Sequence, residues 1–257
     1  MVLLLGIRKC SMSIKIKVIS LKRSIERRSL FLALNKHLVC EFVEAVDGNE
    51  LSTEIVNNQE FFVHPLPLPS YGAYGCALSH LNMWKIAMES DCPTTVAEDD
   101  AIFRRDFLEK YSVVMAMLPA DWDIILWGWN FDSILSVDIL QNVSSTVMFF
   151  SQNGFRRGFE KFQELSVPSI PLRLEKCFGT PAYTISPSGA KKFKEQCFPM
   201  KNFELHFPWA NRILQNTGID VAMNRIYPTV NSFVAFPPLV GTKNENEVST
   251  IQKRRDQ

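Results

Sequence analysis

Residues 124–127 read Ile-Ile-Leu-Trp, four apolar side chains in succession within "DWDIILWGWN". Side chains alternate between the two faces of a strand, so an unbroken apolar run puts apolar groups on both. Such a strand belongs at the centre of a sheet covered by helices on each side, which points the chain towards α/β architectures. The N-terminal third agrees. Ile14, Ile16, Val18 and Ile19 form a β-branched run, and "IERRSLFLALNKHL" follows with Ile25, Leu30, Leu34 and Leu38 at helical spacing and Ser24 as its cap. "CEFVEAVDG" then reads as a short strand closed by a turn. Strand, helix and strand in that order begin a doubly wound sheet.

Further along, "GAYGCALSHLNMWKIAMES" places Ala77, Leu81, Trp84 and Met88 on one helical face. "CPTTVAEDD" reads as a strand and "FRRDFLEKYSVVMAML" as a helix; "HPLPLPS" is a loop, because three prolines suit neither. "SSTVMFFS" is expected as a strand and "SQNGFRRGFEKF" as a surface loop. "PAYTISPSGAKKFKEQC" is a strand followed by a helix. "PWANRILQNTG" is expected as a helix stopped by Gly218, and "IDVAMNRIYPTV" as a late strand.

At 257 residues and 46% hydrophobic composition, the chain is expected to form one domain over residues 14–240. A loose extension is expected at 1–13, with Met12 an alternative start, and a polar tail at 241–257. Val2 to Leu5 is too short an apolar run to span a bilayer and lacks the flanks of a signal peptide. Together with six cysteines that have no Cys-x-x-Cys spacing, this predicts reduced thiols and a cytoplasmic location. Lys plus Arg number 28 against 27 Asp plus Glu, a balance that excludes a general nucleic-acid binder.

The most chemically pointed stretch is "TTVAEDDAIF", where an apolar strand runs into Glu98, Asp99 and Asp100. On a continuing strand Glu98 and Asp100 share a side, roughly 7 Å apart. At an effective dielectric of about 20 they repel by about 2–3 kcal/mol, so a counter-charge is expected. Arg104 or Arg105 next door, or a divalent cation, would supply it. The alternative is an acidic turn capping the next helix through Asp100 or Asp106. Open α/β sheets bind ligands beyond the carboxyl ends of their strands, where this cluster falls, and carboxylates suit magnesium or manganese better than zinc.

The blocks "IKVISLKRSIERR", "FVEAVDG", "GAYGCALSHLNMWKIA", "VAEDDAIF", "DWDIILWG" and "GTPAYTISPSGAKKF" occur in the order seen in glycosyltransferase family 25, which the chain resembles from about residue 14 to about residue 200. The resemblance implies a GT-A-like single domain: a mixed, mostly parallel sheet flanked by helices, with the nucleotide-sugar site at the carboxyl ends of its strands. It implies transfer of a hexose, galactose above all, from a UDP-sugar to a lipooligosaccharide, lipopolysaccharide or related glycan, with inversion. It also implies Mn2+ or Mg2+ on the donor diphosphate and a lipid-linked acceptor met by peripheral contact at the inner membrane face.

By the same resemblance Asp100 holds the metal, with Glu98 in the metal or ribose shell and Asp99 as a second ligand or orienting group. Ser20, Leu21 and Arg23 cradle the nucleotide, with Arg27 and Arg28 as weaker phosphate candidates, and Asp47 lies near it. Gly179 and Thr180 touch the donor, although Pro181 stands where the family commonly has an aromatic residue or His. Inversion needs a general base on the acceptor side. The candidates are His80, Glu204, His206 and Asp220; the family's Pro-Val-Asp block is replaced here by "FPMKNFELHFPWANRI". Gly75 is read as preceding its helix, where free N–H groups suit anions. Tyr183 is left between a sugar platform and a strand residue. Rival readings are a non-catalytic glycan- or nucleotide-binding domain and a nucleotidyltransferase, the latter without the expected Gly-rich basic loop.

Overall fold

The computed structural model describes residues 14–207 and 211–244. The chain opens with β1 (Ile16–Ser20), α1 (Ile25–Leu34) and β2 (Cys40–Glu44), the β-α-β unit the periodicity predicts. Helix α1 faces the sheet differently from expectation: Ile25 and Leu30 are exposed, and Phe31 is the side chain it buries. Ser24 stands at its N-cap without a side-chain capping bond. A 3-10 turn (Gly48–Glu50), α2 (Thr53–Val56) and β3 (Phe62–Val63) lead through the proline loop into α3 (Tyr71–Glu89). Gly75 lies inside α3, not ahead of it. A Cβ there would sit 2.5 Å from the Val46 carbonyl, so the missing side chain lets α3 pack directly on the backbone after β2.

Next come β4 (Thr94–Glu98), β5 (Ala101–Phe103), α4 (Phe107–Met117), β6 (Ile124–Leu126), β7 (Ile134–Asp138) and β8 (Ser145–Phe149). The segment expected as a loop is instead α5 (Gln152–Gln163), capped by Ser151 and burying Phe155 and Phe162 on one side. After β9 (Ile170–Cys177), β10 (Ala182–Ile185), α6 (Pro187–Cys197) and β11 (Met200–Lys201) come two reversals of expectation. "NRILQNTG" forms no helix: β12 (Glu204–Phe207) and β13 (Arg212–Gln215) make a hairpin. "IDVAMNRI" is helix α7 (Ile219–Ile226), with Gly218 before its start. Ile219, Ala222, Met223 and Ile226 are its buried side, a helical spacing that overrides the β-branched content. No strand forms within 219–230, where the late strand is expected; β14 (Ser232–Phe236) lies beyond it, and β15 (Val240–Thr242) crosses into the segment expected as tail.

Among the described residues nine strands form one sheet in the order β2-β1-β4-β10-β6-β14-β9-β7-β8. Strands β2, β1, β4, β6, β14 and β7 run one way, and β10, β9 and β8 run against them. The sheet is therefore mixed, with most strands aligned, as expected. Strand β6 lies central and buries both faces: Ile124 and Leu126 enter the core with α3, α6 and α7, whereas Ile125 and Trp127 enter the core with α1 and α4. Among the described residues no helix is long and apolar enough to cross a membrane. Cys40, Cys76, Cys177 and Cys197 are free thiols, but Cys92 is disulfide-bonded, so the expectation of wholly reduced thiols fails there.

Candidate active site

Parallel pairing decides what meets at the carboxyl end of the sheet. In the β1–β4 ladder Ile19 lies opposite Glu98, so Ser20 and Asp99 emerge side by side. In the β1–β2 ladder Ser20 lies opposite Glu44, which brings the Asp47 turn to the same edge. Strand β10 runs the other way, so its entry, Gly179 to Pro181, arrives here too, and the Glu98 N–H donates to the Pro181 carbonyl at 2.9 Å. These segments line a cleft of about 900 Å³ that includes Ser20, Leu21, Arg23, Asp47, His80, Glu98, Asp99, Asp100, Gly179, Thr180 and Asp220.

The acids separate rather than converge. Strand β4 ends at Glu98 and the chain turns at Asp99 and Asp100, so strand alternation does not carry through. Asp99 accepts from Ser20 Oγ at 2.7 Å and from Arg27 Nε at 2.8 Å, with Arg27 Nη2 also on its Oδ1. Arg27 Nη2 lies 3.4 Å from Asp100 Oδ2 as well. The counter-charge is thus Arg27, from the first turn of α1. Neither sequence neighbour serves: buried Arg104 grips Asp106, and Arg105 reaches Glu164. Asp106 stands at the N-cap of α4 without making a capping bond.

Glu98 accepts from Thr180 Oγ1 at 2.6 Å and lies 3.5 Å from His80 Nε2. Burial favours its neutral form, but the bonds from His80 and Thr180 and the nearby Arg27 charge outweigh this and hold the carboxyl below its ordinary range. Asp100 differs. Its Oδ1 is buried without a hydrogen-bond partner, and burial together with the Glu98 charge pushes its carboxyl up to about 7. A buried, unpartnered carboxylate oxygen fits a hard-cation ligand, the role expected of Asp100. Asp99, bonded to Ser20 and Arg27, does not fit one, and Glu98 Oε1 is already engaged by Thr180. Among the described residues no group of three or more His, Cys, Asp or Glu side chains is arranged to hold a metal. Any cation at Asp100 therefore depends on ligand oxygens for most of its shell.

Arg23 donates to Asp47 from Nε at 2.6 Å and from Nη2 at 3.1 Å, and Asp47 also accepts from the Asn49 N–H at 3.0 Å. Arg28 holds the β1 end through Ser20 O at 2.9 Å. Gly179 has φ +79, a conformation that L side chains rarely adopt, and its N–H donates to Asp220 Oδ2 at 3.1 Å. Asp220 also accepts from the Val221 N–H at 2.9 Å, and burial raises its carboxyl against these two bonds.

Of the four candidates for the base, His80 and Asp220 line the cleft, with His80 almost wholly buried. Glu204 and His206 do not: they alternate with inward Leu205 and Phe207 on β12, and point outward 3.6 Å from each other on the exposed face of the hairpin. Tyr183 is fully buried, which excludes it as a sugar platform. Sequence reasoning undervalued Arg27. The available signal was its place one turn into the helix after β1, over the end of the neighbouring parallel strand.

An open α/β sheet with carboxylates and guanidinium groups in the cleft at its strand ends defines a ligand site of the kind such sheets use for nucleotides. The chain belongs to glycosyltransferase family 25: the model of that family, described as "LPS biosynthesis protein", matches residues 13–206. The R655 protein of Acanthamoeba polyphaga mimivirus, whose name marks it as a candidate glycosyltransferase, is 37% identical over 123 residues, covering 45% of this chain and 37% of that one. Human procollagen galactosyltransferase 2 is 31% identical over 127 residues, 44% of this chain and 20% of that protein. Mouse "inactive glycosyltransferase 25 family member 3" is 25% identical over 190 residues, 68% and 28% of the two chains. The matched regions thus span well under half the length of these relatives. Among solved structures, A197 from STIV aligns at a TM-score of 0.35 and 10% identity, over 89% of this chain and 83% of that one. Mouse xyloside xylosyltransferase 1 aligns at 0.32 and 13%, over 74% and 61%. Likeness at that level adds nothing to the strand order described above.

Proposed function

We propose that this chain transfers a hexose, galactose, from a UDP-sugar to a saccharide acceptor of the lipopolysaccharide or lipooligosaccharide type, with inversion. The observation that carries the reading is the meeting of the β1 end, the acid triplet, Gly179–Thr180 and Asp220 in one cleft at the carboxyl end of the sheet. Family membership supports glycosyl transfer, and the galactosyltransferase name of one relative supports the sugar.

In this reading Ser20, Leu21, Arg23 and Asp47 form the nucleotide side of the cleft. Arg27 offsets the Asp99 charge, so that a diphosphate can approach a cluster that would otherwise repel it. Asp100 would hold Mn2+ or Mg2+, which neutralises charge developing on the leaving diphosphate. The acceptor hydroxyl attacks the anomeric carbon as the sugar–phosphate bond breaks and UDP departs. Its proton goes to Asp220, the one carboxylate among the four base candidates that lines the cleft. A lipid-linked acceptor would bring the protein to the cytoplasmic membrane face as a peripheral visitor.

The test is transfer from UDP-galactose to a lipooligosaccharide acceptor, with manganese and with chelator, for the native protein and Asp100→Ala. Metal-dependent transfer that falls by about 100-fold or more in the variant is the expected result. Full activity in Asp100→Ala sinks the metal assignment, and preference for another UDP-sugar sinks the galactose assignment. A binding domain without transfer is the second reading, favoured by the relative named inactive. UDP-sugar binding with no transfer to any acceptor would establish it.

A further inference from the structure

We propose that His80 is a positioning residue, fixed as the tautomer with its proton on Nε2 by a Trp84–Tyr183 relay, and that its task is to hold Glu98 rather than to take the acceptor proton. This rests on the transferase reading for its catalytic meaning, but the tautomer itself stands on geometry alone.

Both ring nitrogens have partners that decide the proton's place. On one side Trp84 Nε1, which can only donate, lies 3.2 Å from the Tyr183 hydroxyl. That hydroxyl accepts from Trp84 and has its own proton left to give. His80 Nδ1 lies 3.1 Å away, and Tyr183 is fully buried. A proton on Nδ1 would make Tyr183 accept twice and leave its O–H buried without an acceptor, an arrangement that folded proteins avoid. Nδ1 is therefore the acceptor.

On the other side Nε2 faces Thr180 Oγ1 at 3.4 Å and Glu98 Oε1 at 3.5 Å. Thr180 spends its hydroxyl proton on Glu98 at 2.6 Å, so towards His80 it can only accept. The carboxylate accepts by nature. Two acceptors facing Nε2 require a proton on it, which agrees with the first side. The nitrogen nearest the cleft thus already carries a hydrogen, and the nitrogen with a lone pair is turned into the core. What the ring can do is donate to Glu98 together with Thr180, fixing the last carboxylate of β4 at the donor side of the cleft.

The experiment is 15N-histidine NMR on the full chain, which has four histidines; His80 is assigned from the signal lost in His80→Gln. The expected native spectrum has a pyridine-like Nδ1 and a pyrrole-like Nε2 for His80; in Tyr183→Phe the Nε2 signal stays pyrrole-like, and the Nδ1 signal moves towards that of an unbonded pyridine-like nitrogen as its donor is lost. A native His80 protonated on Nδ1 overturns the proposal without touching the transferase reading. The functional arm compares His80→Gln, whose amide can still donate near the Nε2 position, with His80→Leu, which cannot. Retention of activity to within about tenfold in the Gln variant, against a loss of about 100-fold or more in the Leu variant, is expected of a positioning donor. Equal loss in both, at the scale of about 10²–10⁴ typical of a missing general base, overturns it. If the native protein transfers no sugar, the transferase reading fails while the tautomer result still decides the relay.

Discussion

Asp220 shows how one carboxylate carries opposing demands. Two backbone N–H groups stabilise its charge, yet burial wins and its pKa rises. A carboxyl raised on folding binds its proton more tightly in the native state than in the unfolded one. Stability is therefore greater below the unfolded pKa, near 3.8, and falls as pH rises from there through the folded value. Asp220→Asn removes the charge but keeps an oxygen for only one of the two N–H groups, because these bond different carboxylate oxygens. Its melting temperature should therefore fall less than that of the native protein as pH rises from about 4 to 7, because the variant has no carboxyl to ionise at this position. Transfer should meanwhile fall by about 10²–10⁴ in kcat with little change in KM for the donor. Melting curves and initial rates on one preparation check both halves. The same pH dependence in both proteins would mean that the native charge is not penalised by burial.

At the scale of elements, the site depends on how closely α3 approaches the strand ends. A Cβ on Gly75 would meet the Val46 carbonyl at 2.5 Å and Gly48 N at 2.8 Å, backbone atoms that cannot rotate away. Gly75→Ala should lower stability by about 1–3 kcal/mol, read from urea denaturation, because α3 or the 46–48 segment must shift. Since Val46 N is also held by Ser79 Oγ from α3 at 2.9 Å, the shift should weaken UDP binding too. Unchanged stability would show that the contact is relaxed. Elements also mark where reading by pattern failed. Segments 152–163 and 219–226 are helices whose apolar residues recur at helical spacing. Gly154 and Gly158 in the first, and Ile219 and Val221 in the second, argued locally for something else. Burial of Phe155 and Phe162, and of Met223 and Ile226, outweighs those local preferences.

For the whole molecule, a cleft built from chain segments far apart in sequence should be tied together by whatever fills it. UDP with manganese at about 100 times its dissociation constant should add about 2.7 kcal/mol of stability, a rise of roughly 5–10 °C for a chain of this size. Differential scanning fluorimetry with and without both ligands reads it. No shift at saturating nucleotide would remove the cleft as the donor site.

The sequence by itself determined the central strand that opens at Ile124, the opening β-α-β unit, the acid triplet at a strand end and the family. Each is written in contiguous residues, whose spacing reports directly on burial and turn. Only the tertiary structure decided which charges meet. Arg27 reaches Asp99 across 72 positions because parallel strands end together, and Asp220 reaches Gly179 because α7 begins at the same edge. Glu204 and His206, equally plausible as a pattern, fall on the outer face of a hairpin because strand alternation turns Leu205 and Phe207 inward. Ion pairing and catalysis act over a few ångströms of space, and strand order and helix docking set those distances where sequence spacing does not.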